Sequence, residues 1–195
     1  MLLQAQATTA GQSAAAATAV TTTAGYALLV RFAERAEGLR QLEAAGWLMR
    51  ELASWASVRA EAYADCVEAA IDSVLARDAA QCLVRGVDVS PPPAAPLLPA
   101  RTQLPPHLFG ALGATRQGCT MLKESGALDG ALSTATNEAA EPRKRKGALW
   151  SLAHVASTEH GFSWVCDQHK HFVNDMTLLA GSSRHLSVRG TALIA

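Results

Sequence analysis

The chain has 195 residues, 49% of them apolar, enough for one core or one short array of repeats and too apolar for a wholly disordered polypeptide. Seventeen basic and seventeen acidic residues cancel, which excludes a general electrostatic pull on nucleic acid or on an anionic membrane. The four cysteines, Cys66, Cys82, Cys119 and Cys166, stand too far apart to pair as a zinc site or a dense disulfide framework, and they read as small buried thiols of a reducing compartment.

Residues 1–23 are mostly Ala, Thr and Gln, with no large apolar stripe to pack, and read as a low-complexity tail. The start, MLLQAQATTAG, lacks a basic flank, so a secretory signal is not expected. No run of about 18 apolar residues is free of polar interruption, so no membrane span is expected either.

Residues 24–77 read as a first helical repeat. Leu28, Leu29, Phe32 and Ala36 fall on one face at helical spacing, and Gly38 is expected to break the helix. A short second helix with Leu39 and Leu42 ends at Gly46. From Trp47 to about Arg77 the spacing predicts one long helix, about 45 Å at 1.5 Å per residue. Its stripe would be Leu48, Leu52, Trp55, Val58, Ala62, Cys66, Ala70 and Val74. Arg50, Glu51, Arg59, Glu61, Asp65, Glu68 and Asp72 would form its solvated surface.

Residues 78–106 hold Pro91, Pro92, Pro93, Pro96, Pro99, Pro105 and Pro106 and read as a proline-rich loop. Residues 107–195 read as further repeats, with the chain ending in mid-helix. His107 to Thr115 is expected to be helical, with Leu108, Phe109 and Leu112 buried, and Gly118 to break it. Met121 and Leu122 carry the next helix, and a third runs from Leu128 to about Ala135. NEAAEPRKRK, residues 137–146, reads as a charged link before a helix with Leu149, Trp150, Leu152, Ala153 and Val155 inward. Gly161 is the next expected break, followed by helices carrying Phe162, Trp164 and Val165, then Phe172, Val173, Met176, Leu178 and Leu179.

Two of these stretches repeat. EGLRQLEAAGWL, residues 37–48, and QGCTMLKESGAL, residues 117–128, place Gly38, Leu42, Gly46 and Leu48 against Gly118, Leu122, Gly126 and Leu128. Gly161 follows Gly118 by 43 residues, inside the ~40–47 period of armadillo or HEAT units. His169 stands where the third unit's second glycine would be. The fold expected is all-α, an armadillo/HEAT-like α-solenoid with a long helix and a proline-rich insertion.

Chemistry is sparse. There is no G-x-G-x-x-G, P-loop, G-x-S-x-G or H-E-x-x-H, so neither cofactor, metal nor catalytic residue is expected, and the chain reads as no enzyme. His169 and His171 read as solvated, and His154 as a hydrogen-bonded, partly buried side chain. Arg143, Lys144, Arg145 and Lys146 form the local basic cluster, a weak candidate contact for an acidic partner, phosphate or lipid headgroup.

QLPPHLFGALGATRQGCTMLKESGAL resembles a segment of the Rictor/Pianissimo family, in which Leu-Pro-x-His-Leu-Tyr-Gly leads into a Gly-Cys-x-x-Leu helix. Leu104, Pro105, His107, Leu108, Phe109, Gly110, Gly118, Cys119 and Leu122 carry the likeness. KGALWSLAHVASTEHGFSWV is similar to that family through Lys146, Ala148, Leu149, Trp150, Leu152 and Gly161, and LSVRGTALIA through Leu186, Ser187, Val188, Arg189, Gly190 and Thr191. RFAERAEGLRQLEAAGWLMRELASW resembles the family's upstream segment of Gly, Leu and a long helix. The resemblance implies a fragment of the C-terminal helical-repeat region of a non-catalytic scaffold of TOR complex 2, acting in TOR signalling through protein binding. It implies TOR kinase and the other subunits of that complex as partners, AGC-family kinases as substrates reached through the complex, and a cytoplasmic location, peripheral at membranes. The alternative is an unrelated armadillo or HEAT adaptor holding a peptide or protein. That reading predicts a row of Asn or Trp on the third helices, which the sequence does not supply.

Overall fold

The structure, a computed structural model, describes residues 25–71 and 106–194. The expected tail at 1–23, residues 78–105 of the proline-rich loop and the last turns foreseen for the long helix lie outside the described residues. Those described are helices and turns with no strand. The helices are α1 (residues 25–33), α2 (Ala36–Ala44), α3 (Trp47–Ser54, continued by a π-helical segment Trp55–Arg59 and residues 60–71), α4 (Leu108–Gly113), α5 (Arg116–Glu124), α6 (Ala127–Thr136), α7 (Pro142–Ala156), α8 (Glu159–Gln168), α9 (Phe172–Ser182) and α10 (Leu186–Ile194).

They form an all-α helical-repeat array. α1–α3, α4–α6 and α7–α9 are three successive units, and α10 opens a fourth. The first helices stack in a row, α4 on α7 and α7 on α10, while α8 packs on both α4 and α5. One continuous core threads the units. Leu48, Leu108, Leu112, Leu122, Leu128, Leu149 and Leu152 are all fully buried in it, each worth about 1.5–3 kcal/mol relative to exposure.

The same corner joins first to second helix in every unit. The N–H of Arg35, Thr115 or Thr158 donates to the carbonyl of Phe32, Leu112 or Val155, at 3.3, 3.2 and 3.2 Å. The glycines expected to break the chain there do not. Gly38, Gly118 and Gly161 lie inside the first turns of α2, α5 and α8, and the breaks fall three to four residues earlier. What requires glycine is close approach: a β-carbon at each would collide with the carbonyl oxygen of Phe32, Leu112 and Val155 respectively. Thr115 and Thr158 cap their helices by accepting from Gly118 N–H and Gly161 N–H, both at 3.1 Å.

The second corner is different. Gly46 and Gly126 adopt left-handed φ of 64° and 69° and connect α2 to α3 and α5 to α6 across two residues. His169 replaces that glycine in the third unit. It stays at φ −127°, and the turn from α8 to α9 lengthens to three residues.

The long helix departs from a single stripe. Leu48, Leu52 and Trp55 are buried as expected, but Val58 is 66% exposed, and Ala62 and Cys66 face solvent. Tyr63, Ala64 and Val67 are buried instead. The π-helical turn absorbs one extra residue, so the apolar face moves one position along the sequence. Glu51, expected on the solvated side, is buried and ion-paired to Arg59. In α1 the expected face is also shifted: Val30 and Ala33 are buried, whereas Leu28 and Phe32 are exposed. The expected link at 137–146 is shorter than foreseen, because α7 begins at Pro142, whose missing N–H suits a first helical position. The helix expected from His107 starts one residue later, at Leu108.

Candidate functional site

Three features of the surface and its supports could serve recognition: a groove between units, an aromatic joint beneath it, and the basic run. The repeat positions frame them. Gly38, Leu42, Leu48, Gly118, Leu122, Leu128 and Gly161 are buried, while Gly46 and Gly126 sit in the turns.

The groove lies between the third helices of the first two units and holds about 320 Å³. Met49, Ala53 and Ala56 line the α3 side; Gly126, Gly130 and Thr134 line the α6 side. Trp55, Phe109 and Ala148 form its floor. Small residues on both walls leave it open: a β-carbon at Gly130 would meet nothing within 4 Å. Glu61 and Lys144 stand at its edge, one charge of each sign.

Beneath it the three units meet in a cluster of rings. Trp55 packs on His107, ring centroids 4.0 Å apart, and Tyr63 meets the same imidazole edge-on at 4.5 Å. His154 stacks on His107 at 4.3 Å, with the planes 19° apart. Trp55 and Tyr63 are eight residues apart, which in a plain α-helix leaves side chains about 80° apart. The extra residue of the π segment reduces this to about 20°, so both rings reach one target. Tyr26 ties α1 to the same helix: Trp55 Nε1 donates to its hydroxyl at 2.9 Å, and the Arg59 guanidinium lies 4.8 Å above its ring.

Electrostatics at the joint follow from burial. Desolvation pushes the Tyr63 phenol up to about 12 and holds His154 down to about 4. His107 is pushed well below the usual histidine range, first by burial and then by the neighbouring His154. The phenol therefore keeps its proton, and its hydroxyl is hydrogen-bonded to His154 Nε2, 2.7 Å away. His107 Nδ1 accepts from Phe109 N–H at 3.2 Å and caps α4. Nothing in the sequence marked His107 as a cap or joined it to His154; only the fold brings them together.

The basic run lies in the first turn of α7, and three of its four residues engage this chain. Arg143 grips Asp65 through two bonds, one at 3.1 Å, and Lys146 reaches both oxygens of Glu68, at 2.6 and 2.8 Å. Arg145 is fully buried and its Nε donates to Ala135 O at 3.1 Å. Lys144 is exposed at the groove. Beside these struts α7 crosses α3 at backbone distance, since a β-carbon on Gly147 would stand 2.6 Å from the Ala60 carbonyl.

The remaining histidines divide. His171 is exposed, whereas His169, expected to be solvated, is partly buried with Nε2 3.2 Å from Asp129. Among the described residues no group of three or more His, Cys, Asp or Glu could hold a metal ion, and no helix is long and apolar enough to cross a membrane.

Comparison with known proteins follows the same architecture. Residues 143–195, α7 onward, match the family described as Rapamycin-insensitive companion of mTOR, domain 5. The chain is similar to Protein pianissimo A of Dictyostelium discoideum, 24% identical over 172 residues, which cover 88% of this chain and 14% of that protein. It is 25% identical over 173 residues to Rapamycin-insensitive companion of mTOR of Homo sapiens and 24% identical to that of Mus musculus, covering 87% of this chain and 10% of each. The chain thus spans a small part of the length of the curated relatives it matches.

Proposed function

We propose, from the premise that this chain belongs to the Rictor/Pianissimo family, that it is part of a non-catalytic scaffold of TOR complex 2. The observation that carries the reading is the run of likeness along most of the chain to Protein pianissimo A and to proteins named as companions of mTOR, together with an array that presents helix faces and a shallow groove. Such arrays act by surface shape over successive units. In this reading the chain supports contact between TOR kinase and the other subunits, serves AGC-family kinases through the complex, and works in the cytoplasm or at a membrane surface. In this reading Lys144, exposed beside the groove, is the member of the basic run that touches a partner.

The test is affinity purification of the protein that carries this chain, followed by detection of TOR kinase. Co-purification is expected, and clean recovery without the kinase overturns the reading. An adaptor that holds a peptide is the second reading, favoured by the groove between α3 and α6. Met49→Glu and Gly130→Glu would then abolish peptide capture while leaving association with TOR kinase intact; the scaffold reading expects no autonomous peptide ligand for that groove.

A further inference from the structure

We propose that the stacked His107–His154 pair is a proton-released latch, which clamps the first unit against the other two and frees it when the surroundings turn acidic. The pair sits where all three units meet: Trp55 and Tyr63 come from α3, His107 caps α4, and His154 belongs to α7.

The argument is geometric. His107 already uses its bare nitrogen as an acceptor. Its Nδ1 takes the Phe109 N–H, while His154 Nε2 lies 2.7 Å from the Tyr63 hydroxyl. Adding a proton to His107 Nδ1 destroys the bond that caps α4. The other nitrogen of His107, Nε2, is buried with no hydrogen-bond partner, so a charge there would find no compensation. Two charged rings stacked at 4.3 Å would also repel.

Among the described residues no carboxylate offsets that cost. Facing the pair are Trp55 and Tyr63 from α3, Phe109 from α4 and Trp150 from α7. Of these only Tyr63 titrates, and its neighbour Cys66 bears on Tyr63 and not on the imidazoles. The charged residues of the same helices are committed elsewhere: Asp65 to Arg143, Glu68 to Lys146, Glu51 to Arg59, and Glu61 at the groove edge.

The direction follows. Both rings have lowered proton affinity in the closed form and return to about 6.5 when exposed. The open form therefore takes up protons first. The clamp is at full strength above about pH 6.5, weakens as the pH falls below that value, and stops weakening once the closed form itself titrates, near 4 for His154.

The experiment is hydrogen exchange with mass spectrometry on the whole 195-residue chain from pH 7.5 to 4.5, corrected for intrinsic exchange. Peptides of α3 and α4 are expected to lose protection at least tenfold before those of α8 to α10. Loss of protection everywhere at one pH, or none at all, overturns the proposal. The double variant His107→Asn, His154→Gln keeps a cap for α4 and a hydrogen-bond partner for Tyr63 but cannot titrate. Its transition should move about a unit lower, and an unchanged midpoint overturns the latch. Should that variant not fold, the urea stability of the unaltered chain decides between pH 6.5 and 5: a slope approaching two protons supports the latch, and a flat profile overturns it.

Discussion

At the scale of single residues, three glycines carry the repeat and a fourth does not. Gly118 and Gly161 each sit under a backbone carbonyl that cannot retreat, in the same way as Gly38. Gly118→Ala and Gly161→Ala should each cost about 1–3 kcal/mol or more by overpacking, read as a lower urea midpoint at unchanged slope. Gly130 lies in open space within α6, so Gly130→Ala should be neutral or add up to about 1 kcal/mol. The spacing of these glycines was visible in the sequence; their role was not. A glycine after a helix pattern reads as a terminator, whereas here it is the clearance for a carbonyl six residues upstream. Thr158 adds a bond between units, since its hydroxyl lies 2.8 Å from Gly113 O in α4 while it caps α8. Thr158→Val should cost about 1–2 kcal/mol, more than an ordinary surface exchange, because a cap and an inter-unit contact vanish together.

At the scale of elements, α3 decides how the first unit docks. Periodicity located it as a long amphipathic helix but extrapolated one stripe through its middle. No propensity rule announces a π turn, and the error was a single residue: Val58, Ala62 and Cys66 exposed, Tyr63, Ala64 and Val67 buried. Deleting Val58 should restore a plain helix with Tyr63 and Val67 still on their targets, because seven residues of plain helix after Trp55 leave the same separation of about 20°. The expected outcome is a small change in melting temperature, whereas a second residue inserted after Val58 should swing both side chains by about 100° and lower it steeply. Charge patterning misled in a similar way. Arg143 and Lys146 looked like a partner-seeking patch, yet they meet acids on a helix 78 residues earlier. The Asp65–Arg143 pair is about half exposed on each side, so a double-mutant cycle should give a weak coupling that shrinks further in high salt.

At the scale of the whole molecule, fold class and the order of the units were legible because a 43-residue spacing between equivalent glycines admits few architectures. The candidate site was not, because it has no local motif. The groove and the joint both draw on residues far apart in the chain, and a residue such as His107 acquires meaning only when α3 and α7 arrive on either side of it. The three buried glycine seats have a further bearing on how sequence change in such a protein would be felt. They are buried and offer nothing at the surface, so a methyl group added at one of them would leave the exposed helix faces chemically intact. Its effect would register as dosage: a larger unfolded fraction, faster clearance by quality control and less folded protein. A defect of that kind would be relieved by lower growth temperature or by second-site stabilisers, whereas a change at the groove would respond to neither.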